Sequence, residues 1–397
     1  MIRLLNENSM KKIYPLLLAC SLFTGCLTSC NEELSPCGPD ITATTHFRPD
    51  GPYLLKENGT LRMIQTKENL TMLDTLYKDQ SQLFSFVVRS EENKPLFTVK
   101  LRNDWNNFKR PQWKDETQYD KTFIVSDPHG RFDLLSKILQ VGNVIDEQYN
   151  WKFGANHLAI VGDVFDRGND VLPLFWLIYK LEQEAQTAGG KVTFVLGNHE
   201  EMNMRNNLKY VYPKYTFMAN FFQRDYSTFW DENSILGSWL HSKNTIQVVG
   251  DNLFVHAGLS EDFIKRTETV PEINELVSKS ISLSDAERKK QFPEVASFLY
   301  GDYGPLWYRG MIKTSSADKP ISTDNVKLLI KRYGVKRIIV GHTENSKVKY
   351  FYDKMVYGVD VNHPDANKDG ETRALIINGN TINSINDAGE LKSVSKG

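Results

Sequence analysis

Aspartate, histidine and asparagine residues recur at glycine-bearing turns along this chain. The turn at residues 162–168, with the sequence GDVFDRG, holds Asp163, Asp166 and Arg167. Four further turns supply comparable side chains, at residues 126–130, 197–200, 256–258 and 341–343. Carboxylate, imidazole and amide groups of this kind are ligands for divalent metal ions. The pattern therefore predicts a metal site assembled from distant segments.

The candidate metal ligands number six and include no cysteine. They are Asp127, His129, Asp163, Asn198, His256 and His342. Oxygen and imidazole donors suit Mn, Fe or Zn and argue against a cysteine-rich structural zinc site. Six ligands are too many for one tetrahedral ion and suit two ions with open positions, which a carboxylate such as Asp163 can bridge. Two ions about 3.5–4 Å apart can activate a water and stabilise both ends of an in-line displacement.

The same turns and one later motif carry residues suited to phosphate chemistry. Arg167 and Arg309 can each bind a phosphate through two hydrogen bonds. His199 can protonate a leaving oxygen, and Asp166 can hold its imidazole in the required tautomer. Each residue alone has a commoner structural explanation, such as a turn, a core histidine or a surface ion pair. Four of the eight histidines fall on these turns, so the set as a whole indicates metal-assisted attack on a phosphate.

Each of the five turns follows a short apolar run that is typical of a buried strand. The runs are residues 122–125, 156–161, 192–196, 253–255 and 337–340. Residues 131–140 and 171–188 have apolar side chains at helical spacing. Alternating strands and helices predict an α/β fold with helices on the outer faces of a sheet. Such sheets place their ligands at the C-terminal ends of the strands.

Three regions lie outside this alternation. Residues 201–245 are rich in aromatic side chains and predict a helical cap insertion, packed mostly as core, that touches the pocket with only a few residues. Residues 262–295 predict a second, charged helical insertion. Residues 46–118 predict a β-rich N-terminal region with a hairpin turn at Asn58-Gly59 and no site residues. We expect this region to pack on the main domain, residues 119–390, as a small β-appendage or a partner surface.

Residues 1–29 predict a targeting segment rather than part of the fold. A basic pair precedes an apolar, uncharged stretch that is short for a membrane span. The sequence LTSC at residues 27–30 resembles a bacterial lipobox with Cys30 as the acylated residue, and residues 30–45 predict a tether. Two earlier cysteines are weaker candidates, and a plain cleaved signal or an uncleaved anchor is the alternative. We expect lipid anchoring in a bacterial cell envelope, on its periplasmic or its surface-exposed side.

The composition argues against one class of function and is consistent with a globular protein. The formal net charge is −1 over 397 residues. A general nucleic-acid-binding protein needs a basic surface, so this balance argues against one. Hydrophobic residues make up 40% of the chain, which is enough for a sizeable core.

Taken in order, the turns form a series of motifs. They are D-x-H-G at 127–130, G-D-x-x-D-R-G at 162–168, G-N-H-E at 197–200, H-A-G at 256–258 and G-H at 341–342. Together they resemble the signature of the phosphoprotein phosphatase (PPP) family of calcineurin-like metallophosphoesterases, over about residues 120–380. Within that family, the segments 197–203 and 305–310 are most similar to the Shewanella-like protein phosphatases. Residues 1–118 lie outside the resemblance.

The resemblance implies a four-layer α/β/β/α sandwich with a dinuclear metal centre. It implies that one ion is held by Asp127, His129 and Asp163, and the other by Asp163, Asn198, His256 and His342. The residues that it places on the phosphate are Arg167, Asn198, His199 and Arg309. His199 would be the general acid, supported by Asp166. A hydroxide bridging the ions would attack the phosphate in line, and no phosphoenzyme would form.

The chain departs from the family pattern at three positions near the site. Ser126 stands where most members have glycine. Ala257 replaces the commoner second glycine of a His-Gly-Gly motif, a change that we expect to be tolerated. Arg131 stands where many members have another polar residue.

The function predicted from the sequence is that of a metal-dependent phosphomonoesterase similar to the PPP protein phosphatases. Its cofactors would be two divalent ions, Mn²⁺ or Fe/Zn. Its substrates would be phosphorylated proteins, with a leaning towards phosphotyrosine, or small phosphoesters, and its partners would include a membrane but no nucleic acid. Two alternatives stay open: a dinucleoside polyphosphate hydrolase, and a surface binding lipoprotein with a vestigial site. The intact motifs favour an enzyme over a vestigial site.

Overall fold

The computed structural model describes residues 48–67, 71–77, 85–361 and 373–397. The predicted targeting segment and tether, including Cys30, lie outside these residues. Within them, no helix combines the length and the apolar character needed to cross a membrane.

Strands and helices alternate between residues 121 and 204, and consecutive strands or consecutive helices make up the rest of the described chain. Its strands are β1 Asp50–Glu57, β2 Thr60–Lys67, β3 Thr71–Tyr77, β4 Ser85–Arg89, β5 Pro95–Lys100, β6 Lys114–Asp115, β7 Lys121–Val125, β8 His157–Ile160, β9 Lys191–Phe194, β10 Ile246–Val249, β11 Asn252–Val255, β12 Arg337–Val340, β13 Lys349–Phe351, β14 Val356–Gly358, β15 Arg373–Asn378, β16 Thr381–Asn386, β17 Leu391–Ser393 and β18 Ser395–Lys396. Its α-helices are α1 Phe132–Val141, α2 Val171–Thr187, α3 Asn198–Met204, α4 Pro213–Phe221, α5 Ile235–His241, α6 Glu261–Lys265, α7 Val270–Ser280, α8 Asp285–Gln291, α9 Pro293–Leu299 and α10 Thr323–Tyr333. The five predicted runs correspond to β7, β8, β9, β11 and β12, and the two predicted helices to α1 and α2.

Two sheets form the centre of the fold. The strand order is β17-β16-β15-β7-β8-β9 in the first sheet and β18-β13-β14-β12-β11-β10-β6 in the second. Strands β7, β8 and β9 run parallel, as do β11, β12 and β14. The predicted site turns therefore follow parallel strands of two different sheets, three from the first and two from the second.

The two sheets pack face to face, and helices cover their outer faces. Ile124 and Val195 of the first sheet share a buried cluster with Phe254 and Ile339 of the second. On the outer face of the first sheet, the rings of Phe175 in α2 and Phe194 in β9 lie 6.2 Å apart. Helix α7 lies against the second sheet, where an Asn274 side chain donates to the Ile246 carbonyl at 2.9 Å. Burial on both faces explains why strands such as β8 are buried throughout and, apart from His157, apolar.

The N-terminal region is β-rich, as predicted. It contains the sheet β1-β2-β3 and the hairpin β4-β5. Asn58 and Gly59 both have positive φ, 49° and 74°, the backbone that a two-residue hairpin turn requires. The region packs on α2, where the Trp176 indole donates to the Pro52 carbonyl at 3.0 Å. Strands β6, β17 and β18 also pair into the central sheets, so these sheets extend past both ends of the predicted range 119–390.

The aromatic insertion is largely core. Between α3 and β10 it forms α4, a 3-10 turn at Tyr226–Phe229 and α5. Half of its ten large rings are buried, as with Trp230, whose ring centroid lies 4.6 Å from that of Phe165. Tyr210 differs, because it is 41% exposed and lines a cavity next to the predicted site turns.

Candidate active site

A cavity of about 510 Å³ opens where the predicted site turns meet. The predicted residues that line it are Asp127, His129, Asp163, Arg167, Asn198, His199, Arg309 and His342. Asp166 and His256 do not line it and are almost fully buried, but both contact residues that do. The structure thus brings together every predicted site residue that it describes.

Asp163, three residues after the end of β8, lies at the centre of the site. Its Oδ2 lies 3.2 Å from His256 Nε2 and 3.9 Å from the Nε2 atoms of both His129 and His199. Its Oδ1 accepts a hydrogen bond of 2.9 Å from the backbone N–H of His199. One carboxylate therefore faces three imidazoles that come from three different turns.

Backbone carbonyls fix the orientation of the metal-site histidines. His129 Nδ1 lies 2.9 Å from the Phe165 carbonyl, and His256 Nδ1 lies 2.7 Å from the Val161 carbonyl. His342 instead uses Nε2, which lies 3.1 Å from the Trp307 carbonyl. A ring nitrogen that faces a carbonyl carries the proton, so the opposite nitrogen keeps its lone pair for a metal. The nitrogens left to bind a metal are Nε2 in the first two histidines and Nδ1 in the third.

The donor set fits two divalent ions that share Asp163. One group of possible ligands is His129, Asp163 and His199, and the other is Asp163, His256 and His342. Within each group the ligand atoms lie within 4.8 Å of one another. Carboxylate and imidazole donors are those that Mn, Fe and Zn take. This arrangement agrees with a bridging role for Asp163, and the assignment of each ligand stays a prediction.

Two predicted ligands lie beside these groups. Asn198 Oδ1 lies 3.0 Å from His256 Nε2, within reach of the second group. Asp127 Oδ2 accepts hydrogen bonds from the Ser126 hydroxyl and, at 3.2 Å, from the His342 backbone N–H. The serine that replaces the family's usual glycine therefore contacts a predicted ligand directly. The first group also includes His199, which the sequence predicts as a general acid.

His199 is held by a buried carboxylate. Its Nδ1 lies 2.5 Å from Asp166 Oδ2, which leaves Nε2 facing Asp163. The other oxygen of Asp166 accepts a hydrogen bond of 2.9 Å from Asn203 Nδ2. Burial acts to lower the pKa of His199, but Asp163 and Asp166 outweigh it and raise this pKa above its usual value. A histidine with a raised pKa keeps its proton near neutral pH, as a general acid must.

The two predicted phosphate-binding arginines are exposed side chains at the cavity. Arg309 Nη1 donates to the His342 carbonyl at 2.8 Å, which connects it to a predicted metal ligand. The backbone N–H of Arg167 donates to the Tyr210 carbonyl at 2.9 Å. Two guanidinium groups on one cavity give it the charge and the geometry to bind a phosphate.

Several buried groups of the site have shifted pKa values because they are close to one another. Burial raises the pKa of Asp127 to about 7, and His256 opposes that rise. Burial would likewise raise the pKa of Asp163, but His256 and His199 hold it well below the usual range. Burial acts to lower the pKa of His256, whereas Asp163 raises it to about 10. Without metal, the centre therefore holds protons where cations would bind.

The backbone of the site is strained. Six non-glycine site residues have φ in the left-handed region, namely Asp127 (53°), His129 (41°), Asp163 (56°), Asp166 (73°), Arg167 (62°) and His342 (59°). Such a conformation costs of order 1–3 kcal/mol per residue and clusters at functional sites. Gly341 allows the close approach of two turns, because a Cβ there would lie 2.5 Å from Asp127 Oδ2.

Sequence reasoning missed several residues of the site. The buried Glu200 carboxylate accepts from the backbone N–H groups of Gly197 (2.7 Å), Asp163 (2.9 Å) and Val164 (2.9 Å), which ties two site turns together. The G-N-H-E motif contains Glu200, but the sequence does not reveal that its carboxylate connects two turns. Asp360 lies two residues after β14 and lines the cavity. The sequence feature that could have predicted it is an apolar run that ends in aspartate. Tyr210, Trp307 and Glu344 also line the cavity.

Comparison with known proteins defines the class. Residues 121–344 match the Metallophos family, the calcineurin-like phosphoesterases. The match covers more than half of the chain, so the chain belongs to this family. Its mixed α/β fold and its candidate metal groups agree with that membership.

Individual relatives are phosphatases or uncharacterised proteins. The chain is 31% identical over 229 residues to an uncharacterised protein of Schizosaccharomyces pombe, with 56% of this chain and 66% of the relative covered. It is 26% identical over 281 residues to Shewanella-like protein phosphatase 2 of Arabidopsis thaliana, with 57% and 68% covered. It is 26% identical over 245 residues to Shewanella-like protein phosphatase 1 of Plasmodium berghei, with 60% and 64% covered. The chain thus spans about two thirds of the length of these relatives.

A solved structure matches more completely. The cold-active protein-tyrosine phosphatase of a psychrophilic Shewanella species has 28% identity, with 87% of this chain and 99% of that chain covered and a TM-score of 0.76. These matches confirm the resemblance to the Shewanella-like phosphatases. Together with the family, they indicate a hydrolase.

Proposed function

We propose that this protein is a metal-dependent phosphomonoesterase that removes phosphate from phosphorylated proteins, with phosphotyrosine among its substrates. The observation that carries the proposal is the convergence of three imidazole Nε2 atoms within 3.9 Å of Asp163 Oδ2, in a cavity that two arginines also line. The names of the relatives support a protein substrate, and the name of the structural relative supports phosphotyrosine.

The proposed centre holds two divalent ions, Mn²⁺ or Fe/Zn. Asp127, His129 and Asp163 would hold one ion, and Asp163, Asn198, His256 and His342 the other. When bound, the ions would supply a water of lowered pKa and neutralise charge on the phosphate.

The side chains around the proposed ions bind the phosphate and supply the proton for the leaving group. Arg167 and Arg309, with Asn198, bind and orient the phosphate. His199 donates a proton from Nε2 to the leaving oxygen as its bond to phosphorus breaks. Asp166 keeps the opposite nitrogen, Nδ1, protonated, so the proton that moves is always the one that faces the cavity.

Turnover of para-nitrophenyl phosphate tests the proposal. The purified chain would be stripped of metal with a chelator and then given Mn²⁺, Fe²⁺ or Zn²⁺ in turn. We expect activity to return with metal, to be lost in Asp163→Ala and His256→Ala, and to persist in Asp324→Asn, an exposed control. Full activity without metal, or in both alanine variants, would contradict the two-ion assignment.

A substrate panel tests the finer assignment. It would contain phosphopeptides, small phosphoesters and diadenosine tetraphosphate. We expect phosphopeptides to be the best substrates. Faster hydrolysis of diadenosine tetraphosphate would instead support the dinucleoside polyphosphate hydrolase, and binding of two ions without any turnover would support a binding protein.

We also propose that lipid on Cys30 anchors the enzyme in a bacterial cell envelope, on its periplasmic or its surface-exposed side. The support is the lipobox-like sequence at residues 27–30, which follows a basic pair and an apolar stretch. We expect Cys30→Ala to abolish lipid labelling and to release the protein from membranes. Unchanged processing and unchanged membrane association would refute the assignment.

A further inference from the structure

We infer that Tyr210 makes the site selective for aromatic phosphoesters by packing its ring against the leaving group. The inference rests on the proposed phosphoesterase function and adds a residue that determines its specificity. Tyr210 belongs to none of the motifs that predict the site, and its side chain is not needed for the metal centre.

The ring of Tyr210 stands at the cavity rather than in the core. It lines the cavity together with His199, and the two ring centroids lie 5.4 Å apart at an interplanar angle of 44°. The side chain is 41% exposed, whereas Tyr215 and Trp230 of the same insertion are buried. A large exposed apolar side chain beside a proposed general acid has surface to offer to a substrate.

Two contacts position this residue. The Tyr210 carbonyl accepts a hydrogen bond of 2.9 Å from the backbone N–H of Arg167, so the backbone of Tyr210 is tied to the residue proposed to bind the phosphate. The Lys209 ammonium lies 4.8 Å from the ring centroid, a cation–π distance. A ring at this position, beside Arg167 and His199, can contact the group attached to a phosphate that these residues bind.

The order of bond changes places the leaving group beside Tyr210. Water attacks phosphorus, the bond from phosphorus to the leaving oxygen breaks, and the proton on His199 Nε2 passes to that oxygen. The carbon group on the leaving oxygen must therefore lie next to His199, and so next to Tyr210. A phenyl ring there can pack against the tyrosine ring, whereas the methylene of a phosphoserine offers little surface.

The expected effect is modest and specific. An aromatic pair contributes about a 2- to 12-fold factor beyond its simple burial. Tyr210→Ala should therefore lower the ratio of kcat/KM for a phosphotyrosine peptide to kcat/KM for a phosphoserine peptide by at least that factor, because it also removes the surface that the ring buries. Tyr210→Phe should keep the ratio, because the hydroxyl plays no part, and Tyr210→Leu should lower it while keeping an apolar side chain.

The experiment uses the full chain loaded with the metal that gives highest turnover, and two peptides identical except for the phosphorylated residue. Tyr212→Ala is the matched control, because Tyr212 is 38% exposed in the same loop but does not line the cavity. Thermal melting of each variant would confirm that it is folded. We expect the ratio to fall in the alanine and leucine variants of Tyr210 and to stay constant in Tyr210→Phe and in the control.

Two outcomes would overturn the inference. Equal losses on both peptides in Tyr210→Ala would mean that the residue only supports Arg167, and an unchanged ratio would mean that the ring does not contact the leaving group. Failure of the proposed function looks different, because the unmodified chain would then hydrolyse neither peptide with any metal.

Discussion

The pair formed by His199 and Asp166 allows a quantitative test of general acid catalysis. Asp166 is buried and uses both of its oxygens, one for His199 Nδ1 and one for Asn203 Nδ2. In Asp166→Asn, the side chain keeps its size but loses its charge and one of its acceptor atoms. The imidazolium form of His199 then loses a partner that now raises its pKa.

The size of the effect follows from that one contact. A hydrogen bond to a charged group contributes roughly 1.5–3 kcal/mol, and one pKa unit corresponds to about 1.36 kcal/mol. The pKa of His199 should therefore fall by about 1–2 units. Because the protonated form is the active one, the alkaline limb of the pH profile of kcat should move to lower pH by the same amount.

The assay compares two leaving groups over a range of pH. Phenyl phosphate releases a phenolate that needs a proton, whereas para-nitrophenyl phosphate releases an anion that is stable without one. We expect Asp166→Asn to lose more activity on phenyl phosphate, and most at high pH. An alkaline limb at the same pH as in the unmodified enzyme, or equal losses on both esters, would refute the role of Asp166 in supporting a general acid.

Three further predictions concern the metal centre and the buried ion pairs. Metal affinity should rise with pH up to about 10, because a metal must displace the proton of His256 below that pH and, below about 7, the proton of Asp127 as well. The rise should be about tenfold per pH unit for each proton displaced, and a pH-independent affinity in a chelator competition titration would contradict it. Gly341→Ala should weaken metal binding, because the new Cβ would lie 2.0 Å from Ser126 Oγ and 2.5 Å from Asp127 Oδ2. If calorimetry shows unchanged metal affinity, the two turns can separate without loss of the site and the prediction is wrong. Arg288→Met should lower the free energy of unfolding by about 1.5–3 kcal/mol, because it removes a charged hydrogen bond to the buried Glu201 carboxylate, which then keeps its ion pair with Arg205; denaturant titration measures this, and adding Glu201→Gln should recover part of the loss.

The strand-end turns could be predicted because they depend on local pattern. An apolar run followed by glycine and a polar residue identifies both the strand and the residue that it delivers, as Val161 and Asp163 illustrate. The division of these strands between two facing sheets depends on long-range pairing instead. Residue spacing alone suggested a single sheet edge, and only the resemblance to a known family supplied the second sheet.

The residues that sequence reasoning missed depend on tertiary packing. Glu200 gains its role from three backbone N–H groups that the fold brings to it, two of them 36 and 37 residues away along the chain. Tyr210 differs from its aromatic neighbours only because its ring is left at the cavity, and no local pattern distinguishes it from Tyr215. Composition could predict that the insertion is mostly core, but not which ring would remain accessible.

The left-handed backbone of the site has a consequence for laboratory evolution. Glycine adopts positive φ without steric penalty, so glycine at Asp127 would relieve strain and remove a buried carboxylate whose pKa is raised. Selection for heat resistance alone should therefore favour variants that lose this side chain. A thermostability screen without an activity screen is expected to inactivate this protein early, because a residue proposed to bind metal is also one whose replacement relieves strain.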